Sequence, residues 1–528
     1  MHRSGIAAAL AALASLFVPV TVAGSAGAAP PRSSAAAAPA AAGGGDSAAG
    51  DFDGDGFGDL AVAAPGEDVG DVIDAGNVTV AYGTASGLTA AGAEVVRQGL
   101  SGVPGAPEQG DWFGAAVSAG DFDGDGFDDL AVGASQEDSG TVRDSGNVTV
   151  VYGTPSGLVG GRAEVLRHGL PPVGQALEAD DWFGETTTVG DVDGDGFDDL
   201  VVAAPFEDVG SAIDAGNASV VFGSATGLGG GRATVTVRQG LSGLPGAPET
   251  SDWFGLRMTA GDLDGDGFDD LAVSAPAEDV GSVDAAGNVT VVFGTGAGPD
   301  LAAGEPVNAS ETDCGCLQAA AEFGATVATG DVNIDGFDDL AVGTPFWDEG
   351  GAADAGMVTL LFGTGERLFP SSSRVQPQVG QAAETGDQFS WNLVVVDVTA
   401  DGVDDLIVGA AREDVGATVD AGNVTVIEGA GAEFPGPATT FHQGSFGGAL
   451  EPTDLFGLTM SDGDFDGDGR PDLVIAAPGE DVGSADDAGN VTVVYGTATG
   501  LPGRPVPYNQ GSFVGVAELG DTFGLNLS

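Results

Sequence analysis

Ten residues, Asp121-Phe-Asp-Gly-Asp-Gly-Phe-Asp-Asp-Leu130, recur in recognisable form, the seven copies beginning at Asp51, Asp121, Asp191, Asp262, Asp331, Asp397 and Asp464. The intervals of 70, 70, 71, 69, 66 and 67 residues are regular enough that everything else in the chain can be placed relative to them. A fixed period of this size means one supersecondary unit used repeatedly, each unit burying its apolar surface against its neighbours.

Carboxylates at positions one, three, five and nine of such a stretch can converge on one hard cation, because Ca²⁺ takes six to eight oxygens at about 2.3–2.6 Å. In the second copy these are Asp121, Asp123, Asp125 and Asp129, with the Phe127 carbonyl as a backbone ligand, while Gly124 and Gly126 permit the left-handed turns that wrapping requires. The corresponding sets are Asp51, Asp53, Asp55, Phe57 and Asp59; Asp191, Asp193, Asp195, Phe197 and Asp199; and Asp262, Asp264, Asp266, Phe268 and Asp270. The last copy has Asp464, Asp466, Asp468 and Asp472, with Arg470 in the Phe position. The fifth, Asp331, Asn333, Asp335, Phe337 and Asp339, exchanges one carboxylate for an amide oxygen. The sixth offers Asp397, Asp401 and Asp405 but Thr399 at position three, so its site is expected to be weak or empty. An acidic, Gly-rich surface turn is the plain alternative for any one copy. Seven in register point to structural Ca²⁺, about five to seven ions. An EF-hand is excluded, since it needs a bidentate Glu at position twelve, where the second copy has Val132, and flanking helices.

Around each loop the unit reads as strands. A Phe, usually followed by Gly, precedes six of the loops by eight residues: Phe113, Phe183, Phe254, Phe323, Phe389 and Phe456. One strand fits between Phe and loop, and a second follows it, ending in corners such as Ala203-Ala-Pro205. An acidic loop then leads to Gly-Asn and an alternating strand such as Val78-Thr-Val-Ala-Tyr82, which has the half-buried pattern. A less regular fourth strand is expected near Glu94–Gln98 and Thr234–Arg238. The expected fold class is therefore all-β: a seven-bladed β-propeller of four-stranded antiparallel blades. The first loop lacks a preceding Phe-Gly, whereas the chain finishes with Phe523-Gly and no loop. The C-terminal strand is thus expected to close the ring over residues 51–528, with the stretch 44–50 as the rival.

Phe-Gly, the Asp-x-Asp-x-Asp-Gly-x-x-Asp loop and the Gly-Ala-Pro corner resemble the FG-GAP repeats of integrin α-subunit N-terminal propellers. The resemblance covers 51–528 and implies a seven-bladed propeller with calcium loops joining the first two strands of several blades. Integrins carry about four such loops and this chain up to seven, so the match is nearer to bacterial secreted FG-GAP proteins. Integrin-style signalling is not implied.

The ends and the charge bear on location. His2 and Arg3, an apolar run from Ile6 to Val22, and Ala26-Gly-Ala28 have the parts of a signal peptide over 1–28, with a transmembrane anchor as the alternative. Residues 29–50 read as a disordered Ala/Pro/Gly linker. A secreted protein, with no membrane insertion after cleavage, is expected. With 80 acidic residues, 14 basic ones and a net charge of −66, a nucleic-acid partner is not expected.

Loops of an antiparallel blade alternate between two faces, so the acidic second-to-third-strand loops lie opposite the calcium turns. These carry Glu67-Asp68, Glu137-Asp138, Glu207-Asp208, Glu278-Asp279, Asp348-Glu349, Glu413-Asp414 and Glu480-Asp481, and Trp112, Trp182 and Trp253 stand on the same face. Either the acids cap turns and the tryptophans wedge blades together, or the face binds a ligand. An enzyme is not expected: His168 and His442 are the histidines left after signal removal, expected in the fourth strands in place of or beside a recurring Gln, and no Gly-x-Ser-x-Gly elbow occurs. The function expected is extracellular binding or cell adhesion to a protein or glycan ligand. The alternatives are an enzyme acting on extracellular polysaccharide and a purely structural matrix protein. Cys314 and Cys316 could form a tight disulfide if the protein is exported.

Overall fold

The computed structural model describes residues 50–527 apart from Ser101, Val159, Cys314, Cys316, 366–368, 431–434 and 514–521. The expected signal peptide, the linker up to residue 49 and the Cys314–Cys316 pair lie outside the described residues. Each repeat forms one four-stranded antiparallel sheet, giving seven sheets. In the second blade the strands run Phe113–Gly120, Asp129–Ala134, Asn147–Val151 and Ala163–Leu166, in that spatial order. Phe113–Gly120 also touches the first strand of the third blade, Thr186–Gly190, so the Phe-Gly strands line the inside of a ring.

The first blade is assembled from both ends of the chain. Leu60–Ala64, Asn77–Tyr82 and Thr89–Val96 supply its three outer strands, and Asn526–Leu527 takes the inner place, pairing Val62 with Leu527 and Ala63 with Asn526. Thr459 in the last blade donates its hydroxyl to the Gly524 carbonyl at 2.7 Å, joining that blade to the first. Gly50, from the rival stretch, makes only a bridge to Asp59.

The core is divided among the seams between blades. One apolar cluster joins Phe52, Ala61, Val78 and Val80 of the first blade to Phe113, Val117, Leu130 and Val132 of the second, and the other seams repeat the pattern. Both faces of every blade are thereby covered, which corrects the reading of the third strand as half-buried. Asn77–Tyr82 is buried throughout, including Thr79, as are the threonines at the same place in other blades. A β-branched threonine packs in a pleated sheet much as valine does, so its alternation with valine does not mark a wet face. Only the outermost strands, such as Thr89–Val96, mix exposed and buried positions.

The Phe-Gly motif is explained at the same seams. Each of the seven Phe rings is fully buried. The Gly of the Gly-Asn turn in the preceding blade lies so close to the Phe backbone that a Cβ on Gly76 would stand 2.2 Å from the Phe113 oxygen. The same approach is seen at Gly146 with Phe183, Gly216 with Phe254 and Gly489 with Phe523.

Candidate functional site

The loops join the inner strand to the second strand, and their carboxylates do three different jobs. Position nine is an anchor: Oδ1 of Asp59, Asp129, Asp199, Asp270, Asp339, Asp405 and Asp472 accepts the N–H of a glycine 24 residues on, at 2.7–2.9 Å. Burial pushes these carboxyls up, Asp59 to about 8 and Asp129 to about 9. Position one organises the turn: Asp51 accepts the N–H groups of Asp55 and Gly56, each at 3.0 Å. Position eight, which sequence reasoning did not single out, ties blades together. Asp128 accepts the N–H of Asp51 at 2.7 Å, Asp198 that of Asp121 at 2.8 Å and Asp269 that of Asp191 at 2.7 Å. Asp338 and Asp404 repeat the latch toward Asp262 and Asp331, while the first and last loops have Gly58 and Pro471 there.

In the first four loops the oxygens of positions one, three and nine lie within 4.8 Å of one another: Asp51, Asp53 and Asp59; Asp121, Asp123 and Asp129; Asp191, Asp193 and Asp199; Asp262, Asp264 and Asp270. The fifth-position carboxylates stand outside these triads; Asp55, Asp125, Asp195 and Asp266 each accept the N–H two residues on, at Phe57, Phe127, Phe197 and Phe268. Oδ1 of Asp123 and of Asp466 are buried acceptors with no hydrogen-bond partner. Facing anions with such acceptors among them form a hard-oxygen set that fits a calcium-sized cation. The fifth loop differs in the way its residue demands: Asn333 turns its amide nitrogen to both oxygens of Asp339 at 3.2 Å, and its carbonyl oxygen is buried without a partner. In the sixth, Thr399 donates its backbone N–H to Asp405 and brings no carboxylate. Asp397 accepts from Asp401 and Gly402, keeping the turn, and Asp401 caps Val403. In the seventh, Asp464 makes the same turn contacts to Asp468 and Gly469, and Arg470 folds back on Asp468 at 2.8 Å. Arg162 reaches Asp123 at 3.3 Å while stacked over Tyr152, and Arg232 contacts Asp193 while stacked over Phe222.

The Phe at position seven has a role besides its carbonyl. Its ring lies on the position-four glycine of the preceding loop, where a Cβ would come within 2.5 Å: Phe127 on Gly54, Phe197 on Gly124, Phe268 on Gly194 and Phe337 on Gly265. Where the following loop has Val403 or Arg470 instead, position four is Ile334 or Ala400, at φ 56° and 60°. The left-handed backbone persists; what is relaxed is the close approach. Gly194→Ala is expected to destabilise by ~2–4 kcal/mol from the strained φ and the ring contact together. A double-mutant cycle with Phe268→Val, read by urea unfolding, should show coupling of ~1 kcal/mol or more. Coupling near zero would mean that backbone conformation alone requires the glycine.

On the opposite face the acid pairs are engaged in hydrogen bonds of the loops themselves. Oδ1 of Asp68 caps the Asp74 N–H at 3.0 Å, and Asp138, Asp208, Asp279, Asp348, Asp414 and Asp481 each repeat this six residues on. Glu137, Glu278, Glu413, Glu480 and Glu67 accept from Gln98, Gln239, Gln376, Gln443 and Gln510 at 2.7–3.0 Å. In the fifth blade the cap is Asp348, so Trp347, not an acid, stands in the Glu position, which corrects the pairing of Asp348-Glu349 with the other Glu-Asp steps. The tryptophans wedge between blades: Phe206 lies between Trp182, at 4.8 Å, and Trp253, at 6.1 Å. Among charges that the repeat pattern did not foretell, Arg257 is buried with Glu185 and Glu322, which hold its guanidinium, lowered by burial to about 9, in the charged form.

Exposed on this face, beside cap aspartates such as Asp68, Asp138 and Asp208, are large aliphatic side chains. Ile73, Leu170, Ile213 and Val419 are 40–52% exposed, and Ile334 on the loop face is the other large exposed aliphatic among the described residues. The Ile73, Ile213 and Val419 carbonyls accept from Gly110, Ser251 and Thr453, two residues before Trp112, Trp253 and Leu455.

Among known proteins, integrin alpha-4 of Xenopus laevis is 37% identical over 179 residues, which is 32% of this chain and 15% of that protein. Integrin alpha-PS2 of Drosophila melanogaster is 31% identical over 236 residues, 44% of this chain and 15% of that protein. The phosphatidylinositol-glycan-specific phospholipase D of Mus musculus is 34% identical over 159 residues, 30% of this chain and 17% of the enzyme. The chain thus spans less than a fifth of the length of these relatives. A rhamnogalacturonan lyase from Bacillus licheniformis aligns over 83% of this chain and 70% of its own, at 13% identity and a TM-score of 0.38, a likeness too weak to argue from. The family model described as FG-GAP repeat matches residues 43–81, 113–151, 183–222, 254–292, 323–361, 389–427 and 456–494. With one matched repeat for each of the seven blades, the chain belongs to the FG-GAP repeat family.

Proposed function

We propose that the protein is a secreted propeller whose loops hold structural Ca²⁺ and whose opposite face binds an extracellular protein or glycan ligand, as in adhesion. Integrins among the relatives are consistent with this, and no helix among the described residues is long and apolar enough to cross a membrane. The observation that carries it is the uneven placement of exposed aliphatic side chains between the faces. Both faces carry carboxylates, but four of the five large exposed aliphatic side chains among the described residues are on the face opposite the loops, three of them hydrogen-bonded by backbone to the segments bearing Trp112, Trp253 and Leu455. Exposed aliphatic groups on one face are the usual material of a recognition surface.

The test is adhesion of cells to immobilised protein and binding to a glycan array, both in millimolar Ca²⁺. Ile73→Asp combined with Ile213→Asp and Val419→Asp is expected to abolish binding with an unchanged melting midpoint, because exposed substitutions cost little stability. Ile334→Asp on the loop face should bind like the parent. If Ile334→Asp is the damaging change, or the triple variant binds normally, the opposite face is not the contact surface.

A further inference from the structure

Two of the seven junctions lack the repeated side-chain tie between blades: between the fourth and fifth Trp347 replaces the Glu, and between the second and third a histidine replaces the Gln. At five junctions a buried Gln amide donates to the Glu of the next blade's acidic loop at 2.7–3.0 Å. Between the second and third blades the place of that Gln is taken by His168, fully buried and packed on the Phe183 ring with centroids 4.7 Å apart. His168 does not reproduce the amide's hydrogen bond. Its Nδ1 is 3.5 Å from Asp181 Oδ2 and 3.5 Å from Glu207 Oε2, beyond hydrogen-bond range, and neither ring nitrogen has a hydrogen-bond partner.

An imidazole nitrogen equidistant from two carboxylate oxygens has the geometry of ligands around an ion. With ligands at ~2.0–2.1 Å from a tetrahedral Zn²⁺, neighbouring donor atoms are about 3.4 Å apart, close to the 3.5 Å from Nδ1 to each carboxylate oxygen. All three ligand atoms lie within 4.8 Å of one another. His168 and Asp181 are closed off from solvent and Glu207 is 9% exposed, which makes Glu207 the member of the cluster nearest the surface. Asp181 Oδ2 is already oriented by the Glu178 N–H at 3.2 Å, a second contact of the kind that fixes metal-binding carboxylates. We propose that His168, Asp181 and Glu207 form a binding site for a divalent ion of the zinc class, distinct from the oxygen-only loops on the other face. A mixed set of one imidazole and two carboxylates prefers such ions to Ca²⁺, and three protein ligands leave one position for water. Such an ion would pin the second blade to the third where the amide bond of five other junctions is missing.

The experiment uses the whole protein and the variant His168→Gln, which folds because it restores the residue that five other junctions carry. Both are stripped with EDTA, returned to millimolar Ca²⁺ so that the loops are filled, and equilibrated with Zn²⁺ or Co²⁺ before removal of free metal. The parent is expected to retain one more zinc per chain than His168→Gln. Its cobalt form should show a visible absorption band of a low-coordinate, nitrogen-ligated ion that the variant lacks. Equal zinc contents, or a flat cobalt difference spectrum, would overturn the proposal.

Discussion

Chelating calcium with EDTA at about pH 8 is expected to lower the melting midpoint by on the order of 10–20 °C relative to millimolar Ca²⁺, with Mg²⁺ failing to restore it. The size follows from the number of sites. An ion present at about a hundred times its dissociation constant adds about 2.7 kcal/mol per site, and five or six loops act on one ring. Without the ion, each of the first four loops holds three carboxylates with oxygens within 4.8 Å, and the repulsion among them opposes the fold. Mg²⁺ demands near-ideal octahedral geometry at about 2.0–2.1 Å and gives up water reluctantly, so a loop already shaped by its backbone hydrogen bonds suits it poorly. Metal analysis should find five or six calcium ions per chain, with the Thr399 loop contributing least. An unchanged midpoint in EDTA together with no retained metal would show these to be acidic turns held by hydrogen bonds alone.

The ring was legible because its evidence is periodic: seven loops, six preceding Phe positions and a Phe523-Gly without a loop together dictate both blade number and how the ends meet. Contacts across the seams were not, because they join residues about one period apart that no local pattern connects. Asp128 reads as one more acid in an acidic turn, yet it accepts the N–H of Asp51 in the preceding blade. A signal for the Phe-on-Gly contact was nevertheless present. Glycine at position four gives way to Ile334 and Ala400 only where the next loop has Val403 and Arg470 in place of Phe. The buried Thr79 column was misread for a related reason: alternation implies one wet face, and a blade between two neighbours has none. His168 could be seen to replace Gln, but that it meets Asp181 and Glu207 depends on where the neighbouring blade docks.

In the calcium-free protein, acidification should stabilise the fold, opposite to the usual acid response. The position-nine carboxyls are raised by burial from the ordinary 3.8 to about 8 at Asp199, Asp270 and Asp339 and to about 7 at Asp405 and Asp472. At position eight, burial raises Asp128, Asp269 and Asp404 to about 6 and Asp338 to about 7, each despite a backbone N–H that favours the anion. A group whose folded value lies above its unfolded value binds its proton in the fold where the unfolded chain has lost it. Unfolding then releases protons between about pH 4 and 8, and stability falls as pH rises through that window. In EDTA the midpoint at about pH 5 should therefore exceed that at about pH 8 by roughly 5 °C or more. In millimolar Ca²⁺ the order should flatten or reverse, because the ion satisfies the same anions and protons compete with it. Asp128→Asn with Asp269→Asn and Asp404→Asn keeps an acceptor for the latch without a charge, and should reduce the slope in EDTA. A midpoint in EDTA that falls steadily on acidification would mean that these carboxylates are ionised in the fold, and that the loops need no cation to offset them.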